Sequence, residues 1–205
     1  MGDLNVYETG HVSEIIKEIN SRILFSCFVL GDNGWKNSPI WAHYGESGYG
    51  ICIGLNEKKI NDSLDLDADI KHIENKKVDK VDYDEELQKT FTPPDLLNYE
   101  SNDTKDSIQC KIWNNIEKYY FKKDKMWNYE NEYRILTIGK YSDPLFIDIK
   151  DAIEEIIFGD QVSNLAIPED KIFKKYPSVK LYKLVYEYAY NRINRVPIMP
   201  KAAGN

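Results

Sequence analysis

Trp127-Asn128-Tyr129-Glu130-Asn131-Glu132-Tyr133-Arg134 runs without a break into Ile135-Leu136-Thr137-Ile138. The second half of the stretch is apolar and β-branched, which is strand composition. If the strand reaches back through the first half, side chains alternate across it. Glu130, Glu132 and Arg134 then share one face, with Tyr133 and Ile135 on the other. The expectation is a strand with a charged, water-facing side and a core side. Two carboxylates beside an arginine, fenced by aromatics, also make a candidate site.

Working outward, residues 107–121 carry Ile108, Ile112 and Ile116 at helical spacing, and a lysine-rich bridge joins that helix to the opening stretch. Downstream, residues 152–159 fit a brief turn feeding a strand at 156–158. Residues 167–176 predict a capped helix stopped by Pro177, and 179–188 a long alternating strand. Upstream, Val12, Ile15, Ile16 and Ile19 mark one face of a helix. Residues 22–30 read as a buried strand that stops at Gly31-Asp32-Asn33-Gly34. Ser38 is placed to cap a short helix with Pro39 in its first turn.

Gly45, Gly48 and Gly50 precede a compact strand at 51–55, a sign that the backbone passes close to something there. Residues 56–76 predict a charged surface excursion with weak helical character, and 77–83 a half-exposed strand. A second excursion, acidic and interrupted by Pro93-Pro94, is expected over 84–106. Strands dominate and strict βαβ alternation is absent. The fold class is therefore α+β, with a mixed or mostly antiparallel sheet in a single domain over 1–205.

The chain has 205 residues, 42% hydrophobic and 30% charged, ordinary values for a globular protein that can build a sizeable core. A net charge of −7 argues against broad phosphate-backbone binding driven by bulk charge. Cys27, Cys52 and Cys110 are odd in number and show no C-x-x-C spacing. Cys27 and Cys52 sit in apolar runs, so they read as buried reduced thiols. No signal peptide or 18-residue apolar run is present, so the expected setting is cytoplasmic, away from the membrane. His11, His43 and His72 lie far apart, and Asp62 to Asp69 lack the pattern of a calcium loop, so no metal site is expected.

A second aromatic box lies far upstream, Trp41-Ala42-His43-Tyr44. With Ile23 to Ser26, Gly50 to Leu55, Val81 to Tyr83, Trp127 to Arg134 and Ile153 to Gly159, it resembles the bacterial domain-of-unknown-function family 2971. That family's pattern runs I-x-x-F-S, Trp-x-His-Tyr, a glycine with an apolar C-I-x-F strand, V-x-Y, W-x-Y-E-x-E-aromatic-R and I-x-x-I-I-x-G. Members begin with a further region, an L-Y-K-Y-like strand and an Asn-Asp-Pro segment. Val6-Tyr7 is at most a remnant of it here, so the expectation is a minimal member, or one whose site a second chain completes.

The second half also resembles bacterial ADP-ribosyltransferase toxins, in which a glutamate opens a strand, an I-x-x-I strand and a helix follow, and an aromatic-rich strand closes the domain. The E-x-E pair is similar to the acidic pair of arginine-directed members. The resemblance implies NAD as substrate, a toxin or anti-phage effector, and a protein or nucleic-acid acceptor. It gives Glu132 as the carboxylate that stabilises an oxocarbenium-like transition state, with Glu130 taking the acceptor's proton. His43 and Tyr44 would hold the nicotinamide ribose and ring beside Trp41, and Arg134 would orient Glu132 or contact pyrophosphate.

Plainer readings stand beside these. His43 also fits a partly buried imidazole in an aromatic cluster, and Trp127 and Tyr129 fit packing. Glu130 with Lys125 or Arg134 fits a structural ion pair. At the level of function, the alternatives are a non-catalytic nucleotide- or partner-binding module of a defence-type complex, and a carboxylate-dependent nuclease.

Overall fold

The computed structural model describes residues 6–66, 73–85, 103–139, 146–187, 189 and 192–200. His72, Asp67, Asp69, the Pro93-Pro94 loop and Tyr188 at the end of the last expected strand lie outside them. Helices accompany mixed and antiparallel sheets, so the class is α+β. The chain divides into two compact units, Met1–Leu30 with Lys71–Leu145, and Gly31–Ile70 with Phe146–Asn205.

In the first unit, α1 (Val6–Ser21) leads into β1 (Ile23–Val29), which pairs antiparallel with β6 (Glu132–Gly139). On the other side of β6 lies β3 (Ile73–Lys80), also antiparallel, giving the order β1-β6-β3. A short parallel pair, β4 (Asp82–Asp84) with β5 (Lys122–Asp124), adjoins it. The expected helix over 107–121 is two helices, α4 (Lys105–Asn114) and α5 (Ile116–Tyr120), broken at Asn115. Ile15, Ile16 and Ile19 of α1, Ile108 and Ile112 of α4 and Ile116 of α5 pack on Ile23, Leu136 and Ile138 as one core.

β1 was expected to be buried, yet Phe25, Ser26 and Cys27 are exposed. It is an edge strand of its sheet, and edge strands keep an open flank. The thiols follow suit. Cys27 and Cys110 are exposed and Cys52 is half-buried, all three free, which corrects the expectation of buried thiols.

In the second unit, β2 (Ile51–Leu55), β7 (Ile153–Phe158), β8 (Lys180–Glu187) and β9 (Arg192–Ile198) form a sheet in that order. β7 and β8 are parallel, joined through α6 (Glu169–Lys175), and the outer pairs are antiparallel. Ile156, Phe158 and Leu181 face α6, whose Ile172 and Phe173 pack against them. On the opposite face, Ile157 and Leu184 receive two tryptophans, Trp35 and Trp41. Trp41 arrives on α2 (Ser38–Tyr44), whose cap is Asn37, one residue before the expected Ser38: the Asn37 side chain accepts from the Ile40 N–H. The charged stretch after residue 55 is firmer than expected. Residues Glu57–Leu66 form α3, capped by Asn56 and burying Ile60 and Leu64.

Candidate functional site

The opening stretch does not lie on one strand. The Asp124 carboxylate accepts from the Met126 N–H and starts a 3-10 helix over Lys125–Glu130. Asn131 then takes the left-handed conformation (φ 42°), and only at Glu132 does β6 begin. Asn tolerates that region better than most residues, and its Nδ2 donates to the Leu30 carbonyl at 2.7 Å. The two glutamates therefore come from different elements.

They still meet, and they are not wet. Glu130 is 4% exposed and Glu132 6%. By alternation, Glu132 and Arg134 share their face of β6 with Leu136 and Ile138, so the charged row continues the core side. Ile135 and Thr137, on the other face, are buried too. This overturns the expectation of a water-facing charged side.

Burial of two carboxylates requires partners, and the surroundings provide two cations. Arg134 grips Glu132 in a fork, Nε to Oε1 at 2.8 Å and Nη2 to Oε2 at 2.9 Å. Its Nη1 donates to the Tyr120 carbonyl at the end of α5, and its guanidinium lies 5.7 Å from the Phe25 ring centre. Lys123 Nζ pairs with Glu130 and reaches Glu132 Oε2 at 3.4 Å, while sitting 5.1 Å from the Trp127 ring centre. The expected partners of Glu130 were Lys125 or Arg134, whereas the geometry shows Lys123. Tyr83 completes the surround, its hydroxyl accepting from the Glu132 N–H at 2.9 Å.

The electrostatics follow from these contacts. Burial pushes the Glu132 carboxyl upward, but hydrogen bonds from Arg134 and the Cys27 thiol, with the charges of Arg134 and Lys123, bring it below the ordinary range. Burial lowers the Lys123 ammonium, and its two glutamate partners more than reverse that. Burial and the Glu132 carboxylate push the Cys27 thiol to about 11, with Arg134 opposing. Glu132 is therefore a charged, aimed group at neutral pH.

The Trp41–Tyr44 box belongs to the second unit. Trp41 is buried and its indole N–H donates to the Trp35 carbonyl at 2.7 Å, which anchors α2. His43 and Tyr44 are exposed, their rings edge to face at 6.2 Å, so the partly buried imidazole is not what is seen. Behind the helix the chain passes through a tight crossing. Gly48 has φ +92°, and any Cβ on Gly159 would collide with the Gly48 backbone. The Gln161 N–H donates to the Gly48 carbonyl at 3.1 Å and the Gly159 N–H to that of Gly50 at 3.0 Å. The glycines before β2 do mark a close backbone approach. Trp41, Gly48 and Asp160 line a pocket of about 240 Å³ at this crossing.

The predicted residues thus fall into two groups. Glu130, Glu132 and Arg134 converge in the first unit, and Trp41, His43 and Tyr44 share α2 in the second. Sequence reasoning missed Lys123, Tyr83 and Cys27 as members of the glutamate cluster. Lys123 was visible only as part of a lysine-rich bridge. Tyr83 was visible in the V-x-Y motif but without a role. Among the described residues, no group of three His, Cys, Asp or Glu side chains could hold a metal, and no helix is long and apolar enough to cross a membrane.

Among known proteins, the model of a family described as a protein of unknown function (DUF2971) matches residues 40–135. That span holds the Trp41–Tyr44, Gly50–Leu55, Val81–Tyr83 and Trp127–Arg134 motifs, so the family resemblance is supported there. No curated protein and no solved structure matches the chain.

Proposed function

We propose that the chain is an ADP-ribosyltransferase-like enzyme that uses NAD, with Glu132 as its central carboxylate. The observation that carries this reading is the state of Glu132: buried, ionised and held in one orientation by the Arg134 fork, at the first residue of a strand. A fixed anionic oxygen in a water-poor site is what stabilises an oxocarbenium-like centre. In the reaction the bond from the ribose to nicotinamide breaks, a bond from the ribose to the acceptor's nucleophile forms, and the acceptor's proton passes to Glu130. Arg134 orients Glu132. His43 and Tyr44 are exposed on α2 of the second unit, and Trp41 anchors that helix. The acceptor is a protein or a nucleic acid, and a toxin or anti-phage effector is the role such chemistry serves.

A second reading is favoured by one specific observation. Both Glu132 oxygens are already engaged and the two glutamates are matched by two cations. A neutralised cluster of this kind suits a non-catalytic module that binds a nucleotide or a partner chain. Nicotinamide release from NAD by wild type and Glu132→Gln separates the two. The transfer reading expects turnover in wild type and a loss of about 100-fold or more in the variant, with an unchanged circular dichroism spectrum. Binding without turnover in wild type supports the module.

A further inference from the structure

On one face of the second unit's sheet the chain builds a cage for one of its own arginines. Arg195 of β9 lies 4.8 Å from the Trp35 ring centre and 4.2 Å from that of Tyr182, and its Nη1 donates to Glu155 Oε2 at 2.7 Å. Two aromatic faces and a carboxylate form the complement of a guanidinium, which is planar, weakly hydrated and forked.

A tryptophan, a tyrosine and a carboxylate also come together farther along that face. On β8, Tyr182, Leu184 and Tyr186 alternate to the same side. On β9, Ile193 stands two residues from Arg195, opposite Tyr186 in the register. The pocket of about 240 Å³ lies here, walled by Trp41, Tyr186, Leu184 and Ile193, with Asp160 as its one charged lining residue and Ser47 at its polar side. Trp41, Tyr186 and Asp160 are of the same chemical types as Trp35, Tyr182 and Glu155 around Arg195. From β9 the pocket is lined by the uncharged Ile193, and no arginine or lysine is among its lining residues.

We propose that this pocket recognises the guanidinium of an arginine side chain presented by another polypeptide. The lone carboxylate disfavours phosphates. Gln161 donates to one oxygen of Asp160 at 2.7 Å, and a carboxylate has acceptor capacity for further donors. The volume suits a side chain, being below the ~300–1,000 Å³ that accommodates drug-sized ligands. A wider cavity of about 680 Å³ shares Asp160, Leu184 and Tyr186 with it and is lined further by Lys183, Glu169 and the exposed Val185 and Val196. This mixed, open lining is where the flanking main chain of the arginine lies. The proposal does not rest on the transfer reading and needs no turnover.

Calorimetric titration of the full chain with a blocked pentapeptide, Gly-Gly-Arg-Gly-Gly, tests it against the same peptide with citrulline, the neutral near-isostere. N-acetyl-arginine amide serves as the side chain without flanks. The arginine peptide is expected to bind at least about tenfold more tightly than the citrulline peptide, and more tightly than the blocked amino acid. Asp160→Asn removes the discrimination, Tyr186→Leu reduces it, and Tyr186→Phe, which keeps the ring, retains it. Equal affinity for arginine and citrulline in wild type overturns the proposal, as does discrimination that survives Asp160→Asn. Blocked arginine binding as tightly as the peptide overturns the polypeptide part and points to a small guanidine.

Discussion

At the scale of single residues, the Glu132–Arg134 fork sets the behaviour of its neighbours. Arg134→Ala leaves Glu132 buried without its guanidinium fork, held by Lys123 and the Cys27 thiol, and unfolding by denaturant should show a loss of about 3–5 kcal/mol. Glu132 lies below its unfolded pKa, so its contribution is complete above the ordinary carboxylate range and fades as pH falls through the lowered folded value. Lys123 is raised, so its contribution is complete below the ordinary lysine range and fades as pH rises through the raised folded value. The two windows overlap at neutral pH. The stability gap between wild type and Glu132→Gln should therefore be widest near pH 7 and narrow on acidification below the carboxylate range, as read from unfolding midpoints across pH. Cys27 offers an independent readout. It is an exposed residue whose thiol is held at about 11, so it should react slowly with iodoacetamide at pH 8. In a chain carrying Cys52→Ser and Cys110→Ser, Glu132→Gln should speed that alkylation, because the carboxylate raises the thiol pKa. The identity of the glutamates was legible in the sequence. Their burial was not, since periodicity shows which side chains share a face but not whether helices cover it.

At the scale of elements, the failure of the single-strand expectation has one cause. The aspartate cap and the left-handed Asn131 turn the chain between Glu130 and Glu132, and neither is visible to a period-two count. Asn131→Val should cost about 1–2 kcal/mol through the strained φ, beyond the lost bond to Leu30, while Asn131→Gly should cost less. Stability of the two variants side by side checks it. The glycines were a better guide. Gly159→Ala puts a methyl group into the Gly48 backbone, and a loss of about 1–3 kcal/mol is expected as the crossing opens. α1 was readable from its apolar spacing and α6 from its stop before Pro177, although no side chain caps α6 as expected, and β7 and β8 were readable too. β9 was not read at all, because Asn191-Arg192-Ile193-Asn194-Arg195 carries too little apolar signal for a strand. Its residues are half-exposed or exposed along its length.

At the scale of the whole molecule, the composition indicated an α+β chain without showing how it divides. The chain passes from one unit to the other after residues 30, 70 and 145, so each unit is assembled from separated segments. The central strand β6 has its partner β1 on the far side of the first passage, and β2 has its partner β7 beyond the third. A fragment spanning 31–145 holds β6 without β1 and β2 without β7. It should show no cooperative unfolding transition by circular dichroism, whereas the full chain should. The family match over 40–135 ends inside β6, so it covers shared motifs and not a folding unit.

That threefold passage also constrains descent. A gene cut at the middle junction, after residue 70, carries away parts of both units and the whole of neither, and a cut after residue 30 or 145 releases one whole unit only with a segment of the other attached. Recombination at these junctions cannot move the Glu132 unit to a new host without a segment of its counterpart, nor duplicate one unit alone in tandem. The two units are bound to be inherited, and to diverge, as a pair.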